Sequence, residues 1–484
     1  MKKAKNQLLR PPVVAFMGHI DHGKTSILDR IRQSEVQKRE AGGITQGISA
    51  CQVEWQGQKI TFIDTPGHEI FDNIRARGAA ITDLAVLVIA ADEGVMPQTE
   101  ESLRHLQKAQ VPFLIALNKI DLPQAQPEKV KDQLLKLGVL VEDRGGEVVL
   151  VPVSAKTGEG LDDLLEMIIL LAQINEVEKK SFAATPAVVL ESLVNPRRGV
   201  EELILVREGK LSLGETVASE GQTAKIRAMF DWQGKAVKTA GPSQPVWILG
   251  FSQPLPAGAI VKKGTAETTS KEESPLPSSA SLKKGFLNLV IKVDSLGSQE
   301  AILAALEGEK VNILSIGVGD IGESDLLLAS SFQGLILGFR VRLTKRMADL
   351  AKKMGVTVKT FSLIYDFLKF VGDEVEKIIK KKEAAAIAGE AEIIALFDIE
   401  GKKIAGGRVN KGVIVLGEEV QLWREGRLIG KTKIVSLKQR KKDVRKVSQG
   451  EEMGMIFSPL VDFRKGDMIR YVKSDSDRQE DKNE

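Results

Sequence analysis

The chain has 484 residues, 43% hydrophobic and 28% charged, which suits a folded protein and is too long for one core, so roughly three or four domains are expected. Net charge is +4, from 69 Lys and Arg against 65 Asp and Glu, so a uniformly basic nucleic-acid binder is excluded and only locally concentrated positive charge remains open. The single cysteine, Cys51, excludes an internal disulfide; no apolar run reaches membrane-spanning length, and no secretory apolar region follows the basic Met1-Lys2-Lys3-Ala4-Lys5, so a cytoplasmic protein without membrane contact is expected.

The first element is an apolar strand, Val13–Met17, and a helix-like run begins at Ile27. Between them lies Gly18-His19-Ile20-Asp21-His22-Gly23-Lys24-Thr25-Ser26, which carries the spacing G-x-x-x-x-G-K-[ST] of a phosphate-binding loop in the strand–loop–helix context that the motif requires. Gly18 and Gly23 let the backbone curl so that successive N–H groups face one anion, and the helix adds its positive end. Lys24 offers a point charge to the outer phosphates, and the Thr25 hydroxyl suits Mg²⁺.

Further buried strands are expected at Lys59–Ile63, Leu84–Ala90, Phe113–Leu117 and Val148–Val153, with amphipathic runs between them. This is an α/β pattern with a doubly wound, mostly parallel sheet over residues 12–178, and ligands of such sheets sit at the C-terminal strand ends. Four more motifs fall near such ends. Asp64-Thr65-Pro66-Gly67-His68 places a carboxylate for Mg²⁺ at Asp64 and a close N–H for a terminal phosphate at Gly67; a plain Pro-Gly turn is the bland alternative. In Asn118-Lys119-Ile120-Asp121 the carboxylate suits the N1–H and N2 amino donors of guanine, which adenine lacks, although an Asp capping a helix would look the same. Ser154-Ala155-Lys156 is placed to meet the guanine O6 and base face. Thr45, in the loop Ala41-Gly42-Gly43-Ile44-Thr45-Gln46-Gly47, suits Mg²⁺ and the terminal phosphate, or is a surface threonine.

Beyond this domain, residues 185–264 carry short β runs with Gly-rich turns and suggest a small barrel. Residues 265–284 read as a Thr/Ser/Pro-rich linker. Residues 285–361 alternate strand and helix, beginning with Leu287–Val293, as in a compact α/β/α domain. Residues 362–385 form a connecting helix with a basic second half, and residues 389–473 return to β structure as a second barrel. That barrel holds the strongest positive cluster, including Lys431, Lys433, Lys438, Arg440, Lys442, Arg445 and Lys446, which is either a solvated face or a surface for a phosphate backbone. The tail, 474–484, is polar and expected to be disordered; residues 1–11 form a short basic N-terminus. The fold class expected is multidomain α/β and β: phosphate-loop domain, β-barrel, α/β/α domain, long connecting helix and C-terminal β-barrel.

The five loop motifs, in this order and spacing, resemble those of GTP-binding domains, and the forms Asp21-His22-Gly23-Lys24 and Asp64-Thr65-Pro66-Gly67-His68 resemble the translational GTPases. The domain order is similar to that of the bacterial translation initiation factor 2 family, as are the stretches Gly42–Gln46, Leu287–Lys292, Gly297–Ala301, Gly317–Gly319, Glu323–Asp325 and Ser362–Asp366. The resemblance implies GTP and GDP as ligands with Mg²⁺ at Thr25, Thr45 and Asp64, a monovalent cation at Asp21, and His68 as the catalytic residue that orients the attacking water on the ribosome. It implies that the last barrel binds the acceptor end of formyl-methionyl initiator tRNA, that the GTP-bound factor works with both ribosomal subunits, rRNA and other initiation factors, and that hydrolysis releases it. A monomer is expected away from the ribosome. By motif matching the tRNA contacts fall on Gly407, Lys438, Gln439, Arg440, Glu452, Met453 and Gly454. Gly407 and Met453 stand where the family has pocket cysteines, and Gln439 and Arg440 where a basic and an aromatic residue are usual. The long N-terminal extension common in the family has no counterpart before Pro12, so its contacts are expected to be absent.

Overall fold

The structure is a computed structural model and describes residues 10–33, 45–66, 81–177, 186–266, 282–283, 285–399, 402–440 and 442–472. Its contacts divide the chain into two compact units. One is the chain up to Val371 apart from Lys284–Phe286; the other is those three residues with the chain from Gly372 on.

The first unit begins with a six-stranded sheet built from β1 (Val13–Gly18), β2 (Ser49–Trp55), β3 (Gln58–Asp64), β4 (Leu84–Ala90), β5 (Phe113–Asn118) and β6 (Leu150–Pro152), in the order β2-β3-β1-β4-β5-β6. All neighbours are parallel except β2, which pairs antiparallel with β3 across the tight turn Gln56-Gly57, where both residues have positive φ. β1 and β4 are buried along their whole length, as continuous apolar runs demand when a sheet is covered on both faces. Alternate residues sort to opposite faces. Phe16, Val88 and Ala116 meet Ile27 and Leu164 on one side, while Leu87, Ile89 and Ile115 meet Val130 and Leu134 on the other. The covering helices are α1 (Lys24–Arg32), α2 (Pro97–Lys108), α3 (Pro127–Lys136) and α4 (Leu161–Ile174). The apolar run around Leu164–Leu171 is thus a packed helix, and among the described residues no helix is long and apolar enough to cross a membrane.

A second layer of the same unit is all β: β7 (Ala187–Asn195), β8 (Gly199–Val206), β9 (Leu211–Ser212), β10 (Thr216–Ser219), β11 (Gln222–Lys225), β12 (Ala228–Phe230), β13 (Thr239–Ala240), β14 (Pro245–Leu249) and β15 (Ile260–Lys263). Seven of these form an antiparallel sheet in the order β11-β10-β15-β7-β8-β14-β12. Its two end strands, β11 and β12, are consecutive in the chain, so the sheet curls back around one core that includes Val189, Ile204, Val246 and Phe251.

The next domain is a four-stranded parallel sheet, ordered β17-β16-β18-β19, from β16 (Leu287–Val293), β17 (Val311–Val318), β18 (Leu335–Phe339) and β19 (Val358–Phe361). Its helices are α5 (Leu296–Ala305), α6 (Glu323–Ser331) and α7 (Lys345–Lys353). Ser295 caps α5 by accepting the Ser298 N–H, and Thr344 caps α7 by accepting from Met347. Helix α8 (Ile364–Ala386) follows and continues the chain into the second unit; its Phe367 packs edge-on against Phe339 and Phe361.

The second unit holds β20 (Ile387–Ile399), β21 (Lys402–Val415), β22 (Glu419–Arg424), β23 (Arg427–Gln439), β24 (Lys442–Asp443), β25 (Lys446–Ser448), β26 (Glu452–Ser458) and β27 (Met468–Val472). The antiparallel ladder β20-β27-β22-β23-β26-β21 returns to β20, giving a closed six-stranded barrel. Closure removes the sheet edges, and alternating residues such as Ile393, Leu422, Ile434, Met455 and Ile469 fill the interior.

Candidate functional site

The site forms where β1, β3, β4 and β5 end. β1 enters the phosphate loop in register with β4, Gly18 opposite Val88. At Gly18 φ is +137°, and a Cβ would lie 2.3 Å from the Val88 carbonyl oxygen, so only glycine fits. Gly23 has φ +92° and a Cβ there would meet the Asn118 amide nitrogen at 2.2 Å. The left-handed turn at Asp21 (φ 61°) completes the curl before α1.

Lys24 is buried, and its Nζ donates to the carbonyls of Gly18 (2.9 Å) and His19 (2.6 Å). Thr25 Oγ1 donates to Asp64 Oδ2 (2.9 Å) and lies 2.7 Å from Thr45 Oγ1, which is itself 3.4 Å from Asp64 Oδ2. Three residues from a helix start, a loop and a strand end thus converge on one point. Asp64 is almost fully buried and its Oδ1 has no hydrogen-bond partner. Burial pushes its carboxyl above the ordinary range, against the pull of the Lys24 ammonium and the Thr25 hydroxyl. A buried, under-satisfied carboxylate beside two hydroxyls is a donor set of hard oxygens and fits Mg²⁺. Among the described residues there is no group of three or more His, Cys, Asp or Glu that could hold a metal ion, so any metal here would rest on the single carboxylate, the hydroxyls and its ligand.

On the far side of the loop, Asn118 Nδ2 donates to the His22 carbonyl (2.9 Å) and its Oδ1 accepts the Ala155 N–H (3.1 Å). Asn118 therefore staples the phosphate loop to the segment Ser154-Ala155-Lys156. Asp121 Oδ1 accepts the Ser154 hydroxyl (2.8 Å), and Lys156 Nζ stands 3.9 Å from Oδ2. Lys119, with φ 65°, pairs with Glu93 at 3.0 Å.

The two loop histidines are structural in their surroundings. The His22 ring is wholly buried, its Nδ1 is 3.3 Å from the Val88 carbonyl, and burial together with His19 beside it holds its pKa down to about 3. Its contact with Glu93 at 3.9 Å is therefore not an ion pair at neutral pH. His19 meets it edge-on with ring centres 5.0 Å apart. Burial, then the Lys24 charge, lowers the His19 pKa as well. Sequence reasoning missed Gln98 of α2, whose Oε1 accepts the Ile20 N–H (3.0 Å); a polar residue on a helix 78 positions away gives no local signal of that contact. Gly67 and His68 lie outside the described residues, as do Gly42, Gly43 and Ile44.

In the second unit the seven expected tRNA contacts lie along β21, β26 and β23 and the turn that follows β23. Gly407 pairs with Met453, and Lys438 with Gly454. Gly407 and Met453, the two positions expected to replace cysteines, are neighbours. A Cβ on Gly407 would point inward, 2.7 Å from the Met455 methyl and 3.6 Å from that of Met453, so the methionine side chains fill the space above the glycine. Met453 is buried, whereas Lys438, Arg440 and Glu452 are exposed. Lys441 and the tail after Val472 lie outside the described residues, as does most of the expected linker.

Comparison with known proteins divides the chain in the same sense. Residues 10–174 match the family model described as the elongation factor Tu GTP binding domain, residues 184–264 that of elongation factor G domain 2, and residues 262–372 that of translation-initiation factor 2. The translation initiation factor IF-2 of Thermotoga sp. (strain RQ2) is 40% identical over 97% of this chain and 72% of its own length. That of Thermus thermophilus is 41% identical over 97% of this chain and 87% of its own length. Among solved structures, the GDP-bound aIF5B from Aeropyrum pernix is 26% identical, with a TM-score of 0.46 over 96% of this chain and 92% of that one. On the identity and coverage of the IF-2 relatives, the chain belongs to the translation initiation factor IF-2 family of GTP-binding proteins.

Proposed function

We propose that this protein is a GTP-hydrolysing switch of translation initiation, working on the ribosome in the cytoplasm. One observation supports the reading above the others: Thr25, Thr45 and Asp64 meet through oxygens 2.7–3.4 Å apart, although they come from a helix start, a loop and a strand end. Thr25, Thr45 and Asp64 would hold Mg²⁺, which when bound neutralises phosphate charge. Lys24 and the curled loop Gly18–Ser26 bind and orient the phosphates, Asp121 selects guanine, and Ser154–Lys156 flank the base. Asp21 adds an oxygen for a monovalent cation. His68 orients the water that attacks the terminal phosphate, and Gly67 senses that phosphate through its N–H. Ribosomal contacts supply the missing alignment, so turnover of the free protein is slow.

The C-terminal barrel binds formyl-methionyl initiator tRNA along Gly407, Lys438, Gln439, Arg440, Glu452, Met453 and Gly454, with the basic strands holding the phosphate backbone. The GTP-bound form promotes joining of the ribosomal subunits alongside other initiation factors, and hydrolysis frees the loops and releases the protein. Off the ribosome the protein is a monomer.

Calorimetric titration of the full chain with GDP and with a non-hydrolysable GTP analogue, in Mg²⁺, tests the switch. Uptake of both is expected. Thr45→Ala should weaken the analogue by about tenfold or more, the scale of one charge-assisted contact, and leave GDP nearly unchanged. A chain that takes up neither nucleotide refutes the proposal.

A further inference from the structure

Two stretches that the nucleotide chemistry leaves without a role meet in the structure: Gln46, next to Thr45, and the segment that opens with Ser362. Gln46 is buried at 4% exposure. Its Nε2 donates to the Ser362 carbonyl (3.1 Å) and its Oε1 accepts the Ile364 N–H (3.1 Å). Ile364 is the first residue of α8, and the first N–H groups of a helix have no partner within it. The Gln46 amide therefore caps α8 from a distant part of the chain, and it engages the Ser362 carbonyl at the same time.

The neighbours of Gln46 explain why this contact bears on the nucleotide. Thr45 lies on Thr25 and Asp64. Two residues on, the Ile48 N–H donates to the buried Glu191 of β7 (3.4 Å), so the loop is held on both sides of Gln46. Consecutive Cα atoms are only about 3.8 Å apart, so a backbone withdrawal of Thr45 from Asp64 moves Gln46 with it.

We propose that Gln46 is the positioning residue that ties the nucleotide state to helix α8: the loop conformation that sets Thr45 on Thr25 and Asp64 also sets the Gln46 amide on the first turn of α8, and the cap is lost when the loop lets go. The inference rests on the reading of Thr45 as a ligand of the terminal phosphate and its metal. A merely structural glutamine would hold the helix equally in both nucleotide states.

Hydrogen exchange on the full chain, with Mg²⁺ and either GDP or a non-hydrolysable GTP analogue, separates the two. In the parent the Ile364 amide should exchange roughly five- to tenfold more slowly with the analogue, the size of one net hydrogen bond. Gln46→Ala should show no such difference and, because coupling is reciprocal, should lose about five- to tenfold in analogue affinity while GDP affinity stays as in the parent. Gln46→Asn, which keeps the polarity but is one methylene too short, should behave the same way and carries the readout if the alanine variant folds poorly. Thr45→Ala should lose the difference together with its preference for the analogue. Equal exchange at Ile364 in a parent that binds both nucleotides, or a difference that survives in the Gln46 variants, overturns the coupling and leaves the nucleotide site standing. A parent that binds neither nucleotide overturns the site itself.

Discussion

At the scale of single residues, the loop after β5 shows how neighbouring side chains divide their work. Asn118 gives one amide N–H to the His22 carbonyl and accepts the Ala155 N–H, so it holds the scaffold from both ends. Asp121 has one oxygen on the Ser154 hydroxyl and the other only distantly approached by Lys156, which leaves it an acceptor to offer. On the proposed reading, Asp121→Asn puts a donor where guanine also presents donors. GTP affinity should fall at least about tenfold while xanthosine triphosphate gains, because xanthine offers a carbonyl there. Competition titration checks this, and unchanged discrimination between the two bases would count against Asp121 as the base reader. The pairing of Asn118 and Asp121 was legible from the motif and its place after an apolar strand. The staple itself was not, since which amide group meets which carbonyl depends on loops 96 and 37 residues apart.

At the scale of elements, strand β7 matters for its irregularity. The register of β7 on β8 shifts between Val189 and Glu191, inside a run from Ala187 to Ser192 that is buried throughout. Glu191 accepts from Ile48 of the nucleotide domain and from Gly297 of α5, with the Arg340 guanidinium close by across Gly47 and Asp294 as a charged neighbour. Burial pushes its pKa up to about 7, and Glu202 on β8 reaches about 7 for the same reason. The folded state holds these protons more tightly than the unfolded chain, whose carboxyls titrate near 4.5. Stability from this source is complete below about pH 4.5 and is lost as pH rises through about 7, by an upper limit of about 3 kcal/mol for Glu191. Glu191→Gln should flatten that part of the stability–pH profile, as read by chemical denaturation, at the cost of turning one of its two accepting oxygens into a donor that faces a backbone N–H. A profile unaltered by the substitution would contradict this account. Strands with continuous apolar runs were readable at once: Leu84–Ala90 and Leu287–Val293 have the expected bounds. Val148–Val153 shrinks to Leu150–Pro152, and β2 went unseen although Cys51-Gln52-Val53-Glu54-Trp55 alternates apolar and polar as a half-buried strand does.

At the scale of the whole molecule, the proposed hydrolysis on the ribosome is the property to test. On the proposed reading, His68→Ala should leave GTP affinity nearly unchanged and remove the ribosome-stimulated rate by about a hundredfold or more, the range of a lost proton-handling or water-orienting group. Single-turnover hydrolysis with and without ribosomes measures it, and equal rates in variant and parent would remove His68 from the mechanism. The sequence by itself determined the family, the phosphate loop with its strand and helix, and the succession of α/β, β, α/β and β segments, because these depend on residue spacing and hydrophobic period within short windows. Only the tertiary structure decided that β20 and β21 are the strands that close the expected last barrel, that Gly407 lies beneath two methionines, and that Gln46 caps a helix 318 residues further along. Those facts are contacts between distant segments. A local pattern states which face of an element is apolar or which group lacks a hydrogen bond, and the partner that answers it is chosen only when the chain packs.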